Sequence, residues 1–575
     1  MDEQKKKKNK DTLASFRPGR FLSSVVRGER ARRAYLAEWL GLPPPRYKVK
    51  AKHNLRIPMA DGHVLLADHY APRSAERLPT ILIRSVWGRA WYDFPSGFMY
   101  SLISSRFAEQ GYHVVLQEVR SDINGDLFAT DERADGLATL DWLMQQSWCS
   151  GVVGMWGLSY LGSMQWAVAK DAPPCLQALT PGVTTSWMRS LFYQDDTLTL
   201  QNFIVVLALL SMGQEPFWKM VSQARRLEQR FAAAFALVPL LETDVVASGK
   251  PNASYRKALT SPQPDSSFWR QIDYRADVSA VIIPTHLISG WHDIFLRDLL
   301  DDYTRMHDAG QRPYLTIGAW GHMDPEGGFG NIRESLIWFD AQLKGNTTRL
   351  RERPVNVYMM GSDEWHAIET WPPVARPQCY YLHTQQQLTT QHTYTTEDTM
   401  PDHYRYDPAD PTPSVGGAIL DGKCGPQDNR LLEARSDVLS YTSEPFTQEL
   451  SIMGTAQLTL YVQASAASTD FFGRICDVDS DGLSLNVTDG LLHLPANSDE
   501  CRRITIDLLP TAHCFKTGHR LRLLVASGAH PRWVRNYGTS ETIATASTMV
   551  ASEQSIYHDE VYCSELRLPV YEERS

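Results

Sequence analysis

The stretch GMWGLSYLGSMQWA, residues 154–167, places Ser159 on a short link between an apolar segment and a small-residue segment. The apolar residues before the serine are typical of a buried strand, and those after it have helical spacing. A sharp turn between strand and helix needs small neighbours such as Gly157, because it brings backbone segments close together. The pattern therefore predicts a strand–turn–helix unit whose serine hydroxyl can attack a substrate. A purely structural turn fits the same residues.

The sequence around this unit predicts several domains. Strand-like and helical segments alternate over 46–185 and again over 274–352, which predicts a mostly parallel sheet with helices on both faces. Mostly helical sequence over 186–273 interrupts the alternation, so we expect a helical cap inserted over the carboxyl edge of the sheet. Short β-type segments separated by Pro, Gly and Asp fill 353–575 and predict an all-β sandwich or jelly roll. Residues 1–45 are assigned to a basic tail and a helix.

Charge and hydropathy limit the classes of function. The chain has 575 residues and a net charge of −9, which argues against nucleic-acid binding by the protein as a whole. The N-terminal MDEQKKKKNK lacks the apolar segment of a signal peptide, and the apolar run from Phe203 is far shorter than a bilayer span. We therefore expect a cytoplasmic protein without a membrane span. The run Lys5–Lys8 is interpreted as a solvated tail rather than a lipid or RNA contact. A homo-oligomer is left open.

Cysteine and histidine spacing gives no sign of a bound metal. The eight cysteines are scattered without a CxxC pair, which favours reduced thiols over a disulfide framework. His513, Cys514 and His519 are close in sequence, but they lie in a strand-like stretch without a partner cluster. The sequence therefore predicts neither a metal nor a cofactor.

Two later strand ends supply the partners that a nucleophilic serine needs. The hydroxyl requires a base to take its proton, and the base requires an acid that orients it. In α/β hydrolases the acid and then the histidine follow the serine along the chain. The strand-like segment VIIPTHLISGWHD ends at Asp293, and PYLTIGAWGH ends at His322. We therefore predict a triad of Ser159, Asp293 and His322. Taken alone, Asp293 also fits the role of a helix cap, and His322 that of a histidine in a pocket wall. His292 is the nearest alternative base.

Three ordered motifs carry a family resemblance: GLSYLG at 157–162, GWHD at 290–293 and IGAWGH at 317–322. With MADGHVLLADHYAP before them, and YRYDPADPTPSVGG, NVTDG and FKTGHRLRLLVAS after them, they extend over the chain from about residue 47 to its end. The chain resembles the serine hydrolase family of cocaine esterase, X-prolyl dipeptidyl peptidases and α-amino-acid ester hydrolases. The resemblance implies an α/β hydrolase with a helical cap and a C-terminal jelly roll. It also implies that Ser159, Asp293 and His322 are nucleophile, acid and base.

The resemblance also implies an oxyanion hole, in which the backbone N–H of Tyr160 is one donor. The second donor in the family is usually a tyrosine hydroxyl in a motif such as R-x-P-Y-G. This chain reads RSVWGR at 84–89, so Trp87 stands at the tyrosine position. An indole N–H donates a hydrogen bond but cannot accept one. Trp87 therefore either replaces the hydroxyl as donor, which we favour, or only packs against the substrate.

The resemblance implies hydrolysis of an acyl bond in a small ester or short peptide, through an acyl-enzyme. A carboxylic ester is the first expectation, and an X-prolyl peptide or an α-amino-acid ester or amide is the second. Asp195 and Asp196 lie at the start of the cap, where they are candidates to bind a substrate amine, although a helix cap or a solvated turn is the favoured interpretation. The alternative function outside the enzymes is a non-catalytic binding protein whose jelly roll binds carbohydrate. The complete triad argues against this alternative. The candidate aromatic pocket residues, each of which also fits a packed core, are Trp187, Phe192, Trp291 and Trp320.

Overall fold

Two large sheets organise the protein in the computed structural model, which describes residues 23, 29–74, 76–89, 96–120, 131–212, 217–392, 400–495 and 500–572. The run Lys5–Lys8 lies outside the described residues. Among the helices so described, none combines the length and apolar character needed to cross a bilayer.

The helices and strands follow one another closely along the described chain. The helices are α1 (Glu29–Trp39), α2 (Ser96–Glu109), α3 (Glu132–Met144), α4 (Tyr160–Ala169), α5 (Leu200–Met212), α6 (Phe217–Ala236), α7 (Thr243–Ser248), α8 (Ala253–Thr260), α9 (Ser267–Arg270), α10 (Arg275–Val278), α11 (Leu296–Asp308), α12 (Pro325–Lys344) and α13 (Arg430–Glu433). Short 3-10 turns lie at Met188–Leu191, Leu240–Glu242 and Thr384–Gln386. The strands are β1 (Val49–Pro58), β2 (Val64–Pro72), β3 (Leu78–Ser85), β4 (His113–Glu118), β5 (Cys149–Leu158), β6 (Leu176–Gly182), β7 (Tyr193–Gln194), β8 (Thr197–Leu198), β9 (His286–His292), β10 (Tyr314–Gly321), β11 (Val355–Met359), β12 (Glu364–Ile368), β13 (Arg376–His383), β14 (Gln387–Thr389), β15 (Asp402–Tyr406), β16 (Leu439–Thr442), β17 (Leu450–Gly454), β18 (Gln457–Ala464), β19 (Thr469–Val478), β20 (Ser484–Leu494), β21 (Arg502–Asp507), β22 (Thr511–Phe515), β23 (Arg520–Ala526), β24 (Ser552–Tyr557) and β25 (Glu565–Val570).

The first sheet has ten strands in the order β1-β2-β4-β3-β5-β6-β9-β10-β11-β12. Its interior, from β4 to β11, is parallel, whereas β1, β2 and β12 pair antiparallel at the two edges. The strands β5, β9 and β10 lie close together, so the residues that follow them share the carboxyl edge of the sheet. Ligands bind at this edge in open α/β sheets.

Apolar side chains cover both faces of this sheet. One face packs Leu82 and Val115 against α3, α4 and α11, through residues such as Trp166. The other face packs Ile83 against α2 and α12, through residues such as Phe339. Each fully buried side chain of this kind contributes roughly 1.5–3 kcal/mol, so both layers stabilise the sheet. The predicted parallel sheet with helices on both faces is confirmed.

The segment between β6 and β9 is mostly helical, from α5 to α10, with the small hairpin of β7 and β8 at its start. Its core is aromatic: the ring of Phe192 lies 4.2 Å from that of Phe203 and 5.4 Å from that of Trp269. These rings hold the helices to one another.

The boundary between the two sheets differs from the expected one. Residues 355–368 were expected in the all-β part, but β11 and β12 extend the first sheet, with Val355 beside Leu315 of β10. Short β-type segments have the same sequence pattern in either sheet, so the pattern cannot tell which one they join. Helix α12 begins at Pro325, where the Asp324 side chain caps its first turn.

The second sheet contains thirteen strands, β13 to β25, so the C-terminal part is all-β as expected. Strand β18 pairs with β21, β24 and β25, and the strands enclose a core that includes Leu458, Phe471 and Ile556. The two sheets meet where Met360 exchanges backbone hydrogen bonds with β22, from its N–H to the Ala512 carbonyl at 3.0 Å and from the Cys514 N–H to its carbonyl at 2.8 Å.

Candidate active site

Ser159 lies on a strained turn between β5 and α4, with φ 56° and ψ −125°. Glycines make this turn possible. A Cβ at Gly157 would lie 2.4 Å from the Leu161 carbonyl oxygen, and one at Gly162 would lie 2.6 Å from the Thr184 side chain. A non-glycine residue in this left-handed conformation costs energy and is characteristic of functional sites.

His322 connects this serine to a buried carboxylate. Its Nε2 lies 3.0 Å from the Ser159 Oγ, and its Nδ1 lies 2.8 Å from the Asp293 Oδ1. The histidine side chain is 7% exposed and the carboxylate 0%, so water screens the pair weakly. The three residues come from the ends of β5, β9 and β10, and the structure brings them together.

The Asp293 carboxylate is oriented by two further donors. The Ser289 hydroxyl donates to its Oδ2 at 2.7 Å, and the Phe295 backbone N–H donates to its Oδ1 at 3.2 Å. Because Oδ1 also faces the Nδ1 of His322, the imidazole is held with its hydrogen on Nδ1 and a lone pair on Nε2. That tautomer accepts a hydrogen bond from the Ser159 hydroxyl.

His292, the alternative base, has a different environment. Its side chain is buried, and burial lowers its pKa to about 4, so the ring is neutral near pH 7. It lies beside Gly425 of the C-terminal part, where a Cβ would be 3.2 Å from its Cδ2. Within the described part of the chain, it is His322 that contacts the serine hydroxyl.

A small apolar cleft of about 30 Å³ surrounds the serine. Ser159, His322, Trp87 and Tyr160 are among the residues that line it. The aliphatic walls could not be predicted from the sequence, because an apolar residue in a helix or loop has the same pattern in a core as in a pocket. These residues are Val86, Met188, Leu191, Val206 and Leu420.

Three of the predicted pocket aromatics lie in the packed interior instead of this cleft. Phe192 is 1% exposed within the aromatic core of the helical segment. Trp291 is buried and donates its indole N–H to the Tyr358 carbonyl at 2.6 Å. Trp320 is buried against Gly318, at which a Cβ would overlap its ring. The prediction that these three residues line the pocket is therefore wrong, and all three pack in the core.

Trp187, Asp195 and Asp196 line a second, charged cavity of about 330 Å³. The guanidinium of Arg275 lies 3.4 Å from the Trp187 ring centre. Asp195 accepts a hydrogen bond from Arg297 at 3.1 Å, and Asp196 lies 3.7 Å from a nitrogen of Arg189. The 3-10 turn Met188–Leu191 separates the two cavities: its first and last residues face the serine, and the middle two face the charges. The predicted aspartates therefore do not line the catalytic cleft.

The histidines considered as metal ligands share one carboxylate. Asp477 lies 2.9 Å from Nε2 of His513 and 2.8 Å from Nδ1 of His519. Among the described residues, no group of three or more His, Cys, Asp or Glu side chains is arranged to hold a metal ion. All eight cysteines belong to the described ranges, and none of them forms a disulfide there.

Comparison with known proteins identifies the family. Residues 61–324 match the family model described as X-Pro dipeptidyl-peptidase (S15 family), and residues 348–567 match that family's C-terminal non-catalytic domain. The chain is 30% identical to cocaine esterase of Rhodococcus sp. (strain MB1 Bresler), over 90% of this chain and 98% of that protein. The chain belongs to this hydrolase family. It is therefore a serine hydrolase that acts on acyl bonds, as the motifs predicted.

Two solved structures have a similar fold over most of this chain. An aminopeptidase from a marine sediment Thaumarchaeota archaeon superposes with a TM-score of 0.77 at 19% identity, over 92% of this chain and 97% of that one. An α-amino acid ester hydrolase superposes with a TM-score of 0.76 at 21% identity, over the same shares of the two chains. At these identities the likeness concerns the fold alone.

Proposed function

We propose that the protein hydrolyses small carboxylic esters through Ser159, His322 and Asp293. The observation that carries the proposal is the continuous hydrogen-bond chain from the serine hydroxyl through the imidazole to a fully buried carboxylate, with distances of 3.0 and 2.8 Å. Such a chain activates a hydroxyl that is otherwise a weak nucleophile.

The reaction has two steps on these residues. The Ser159 Oγ attacks the ester carbonyl carbon while His322 Nε2 takes its proton, and the same nitrogen then protonates the departing alcohol. Water then attacks the acyl-enzyme and passes a proton to His322 Nε2. The bond from the acyl carbon to Ser159 Oγ breaks, the carboxylic acid is released, and Nε2 returns the proton to the serine. The buried Asp293 stabilises the imidazolium in both steps without taking up the proton itself.

Two donors are assigned to the oxyanion that forms on the carbonyl oxygen. The backbone N–H of Tyr160 belongs to the first turn of α4, where N–H groups point out of the helix and the helix dipole favours negative charge. The indole of Trp87 is the second donor, since it lines the cleft beside the serine. Each such donor lowers the barrier by roughly 3 kcal/mol.

The cleft favours a short, neutral acyl group. Its walls are aliphatic and aromatic, and its volume of about 30 Å³ is small. A carboxylate binds a free α-amine most strongly, and none of the cleft residues that the structure describes is an Asp or a Glu. Asp195 and Asp196, the candidates for that contact, lie in the other cavity beside Arg297 and Arg189. An ester is therefore preferred to an X-prolyl peptide.

We further propose a division into a basic tail, an α/β-hydrolase domain, the cap over 186–273 and a C-terminal jelly roll. The hydrolase domain extends through β12 to Ile368, because that strand completes its sheet. The thirteen-stranded arrangement supports the jelly-roll assignment.

A turnover screen with matched variants tests the proposal. The wild type is expected to hydrolyse p-nitrophenyl acetate and butyrate, with little activity on an X-Pro-p-nitroanilide or an α-amino ester. Ser159→Ala is expected to lose about 10⁶-fold in kcat with an unchanged circular dichroism spectrum. A fluorophosphonate that labels the wild type but not the variant would verify the nucleophile. Residual turnover close to that of the wild type would refute the assignment.

A further inference from the structure

A loop of the C-terminal part reaches into the catalytic cleft. We call residues 415–425 the bridging loop. Its Leu420 lines the cleft beside Ser159, and its Asp421 accepts a hydrogen bond of 2.8 Å from the Gln201 amide of α5. The loop thus contacts the cap and the catalytic cleft at the same time.

Two residues of this loop, Gly417 near its start and Gly425 at its end, are hydrogen-bonded to each other. The N–H of Gly417 donates to the Gly425 carbonyl, and the N–H of Gly425 donates to the Gly417 carbonyl, both at 2.9 Å. Both glycines have positive φ, 82° and 84°, which other residues adopt only with strain. The loop is therefore a closed unit whose position depends on what supports its base.

The loop also touches the strand ends that precede two triad residues. A Cβ at Gly321, which precedes His322, would lie 2.6 Å from the Cys424 Sγ. Gly425 is packed against the ring of His292, which precedes Asp293. A shift of the loop would therefore displace both strand ends together with the Leu420 wall.

Three buried charges support the base of the loop. Asp489 accepts from Arg474 Nη2 at 2.7 Å and from Arg532 Nη1 at 2.6 Å. Arg474 donates from Nη1 to the Val415 carbonyl at 2.5 Å, at the first residue of the loop. A Cβ at Gly417 would lie 2.8 Å from Arg532 Nη1 and 3.0 Å from Asp489 Oδ2. The charges and the loop are thus in direct contact.

The carboxylate is the necessary member of this group. All three side chains are at most 2% exposed. Burial raises the pKa of Asp489, but Arg532 and Arg474 outweigh it and hold that pKa below its usual value. Without the carboxylate, two buried guanidinium groups would face each other without a counter-charge, a strongly unfavourable arrangement.

We propose that Arg474, Asp489 and Arg532 are positioning residues for the hydrolysis: they fix the bridging loop, which sets the Leu420 wall of the cleft and the strand ends bearing Asp293 and His322. The inference rests on the proposed function of Ser159 and goes beyond it, because it makes catalysis depend on charges in the other sheet. These groups touch no reacting atom and act through the loop.

Asp489→Asn tests the inference, with Asp470→Asn as its matched control. Both aspartates lie on the β19–β20 hairpin and have side chains 2% exposed, but Asp470 pairs with His493 and Asn536 and not with the bridging loop. The two full-length variants are compared for melting temperature, for kcat and KM on p-nitrophenyl acetate and butyrate, and for the rate of fluorophosphonate labelling.

We expect Asp489→Asn to lose about tenfold or more in kcat/KM and to change the butyrate-to-acetate ratio, since displacements of about 1 Å have effects of this size. The control is expected to keep the wild-type ratio and labelling rate at a similar melting temperature. Equal losses in both variants, with an unchanged ratio, would overturn the inference. If Asp489→Asn fails to fold, Gly417→Ala displaces the loop locally, and a wild-type ratio in that variant would overturn it too. Wild-type turnover that is lost in Ser159→Ala tests the proposed function separately.

Discussion

Replacing Asp293 by asparagine separates two contributions of the acid, its hydrogen bond and its charge. The Oδ1 accepts from both His322 Nδ1 and the Phe295 N–H, and a backbone N–H cannot reverse its role. The asparagine oxygen should therefore occupy the Oδ1 position, while its amide donates to the rotatable Ser289 hydroxyl. The imidazole keeps its tautomer, and only the negative charge is lost.

The size of the loss follows from the geometry of this pair. With a nitrogen–oxygen distance of 2.8 Å, the charge centres of imidazolium and carboxylate are roughly 4 Å apart, which gives about 4 kcal/mol at an effective dielectric constant of 20. That energy corresponds to a decrease in kcat of about 10³-fold. Asp293→Ala removes the orienting hydrogen bond as well, so its decrease should be about tenfold larger.

Steady-state kinetics on p-nitrophenyl butyrate check both values, with melting temperatures to exclude unfolding. Equal losses in Asp293→Asn and Asp293→Ala would show that Phe295 does not orient the side chain. A loss below about tenfold in a folded Asp293→Asn variant would refute the assignment of this residue as the catalytic acid.

Three further predictions concern residues of the cleft and of the charged cavity beside it. Trp87→Phe keeps the ring but removes the indole N–H, so kcat should fall about 10²-fold; an unchanged kcat would leave Trp87 a packing residue. Asp195→Asn with Asp196→Asn should leave KM for an α-amino ester at its wild-type value, because both lie in the charged cavity; a rise in KM confined to amine substrates would contradict that placement. Burial raises the pKa of Asp302 from 3.8 to about 8, so the stability that its bound proton provides is lost as pH rises from about 4 to about 8. The melting temperature of Asp302→Asn should therefore rise relative to that of the wild type over that pH range. A difference in melting temperature that does not change with pH would contradict this prediction.

Strands β5, β9 and β10 and the three residues that follow them could be predicted because their signals are local. An apolar run followed by Ser159, Asp293 or His322 marks a strand and the residue just beyond it, and parallel strands bring such residues to one edge. The order of the three residues along the chain added the remaining constraint. These inferences needed no knowledge of how distant segments pack.

The cleft walls could not be predicted because they depend on packing between distant segments. Leu420 reaches the cleft from the C-terminal part, and nothing in its neighbourhood distinguishes it from a core leucine. Phe192 and Trp291 were considered for the pocket because they are aromatic and near motifs, yet burial in a core suits them equally. The strands β11 and β12 were assigned to the wrong sheet for a similar reason, because the sequence of a short strand does not determine which strand it pairs with. A cytoplasmic location stays a prediction.

The backbone turn at Ser159 affects the order in which the site loses its functions on partial unfolding. The proposed nucleophile and the backbone donor proposed at Tyr160 are consecutive residues of one turn, so covalent bonds set their relative placement. The proposed base arrives from β10, and only non-covalent contacts fix its distance from the serine. Gentle heating or mild denaturant should therefore disable proton transfer first, while the hydroxyl and its neighbouring N–H remain aligned. A partly loosened protein of this kind would still bind an acyl substrate beside the serine, but it would no longer hydrolyse that substrate.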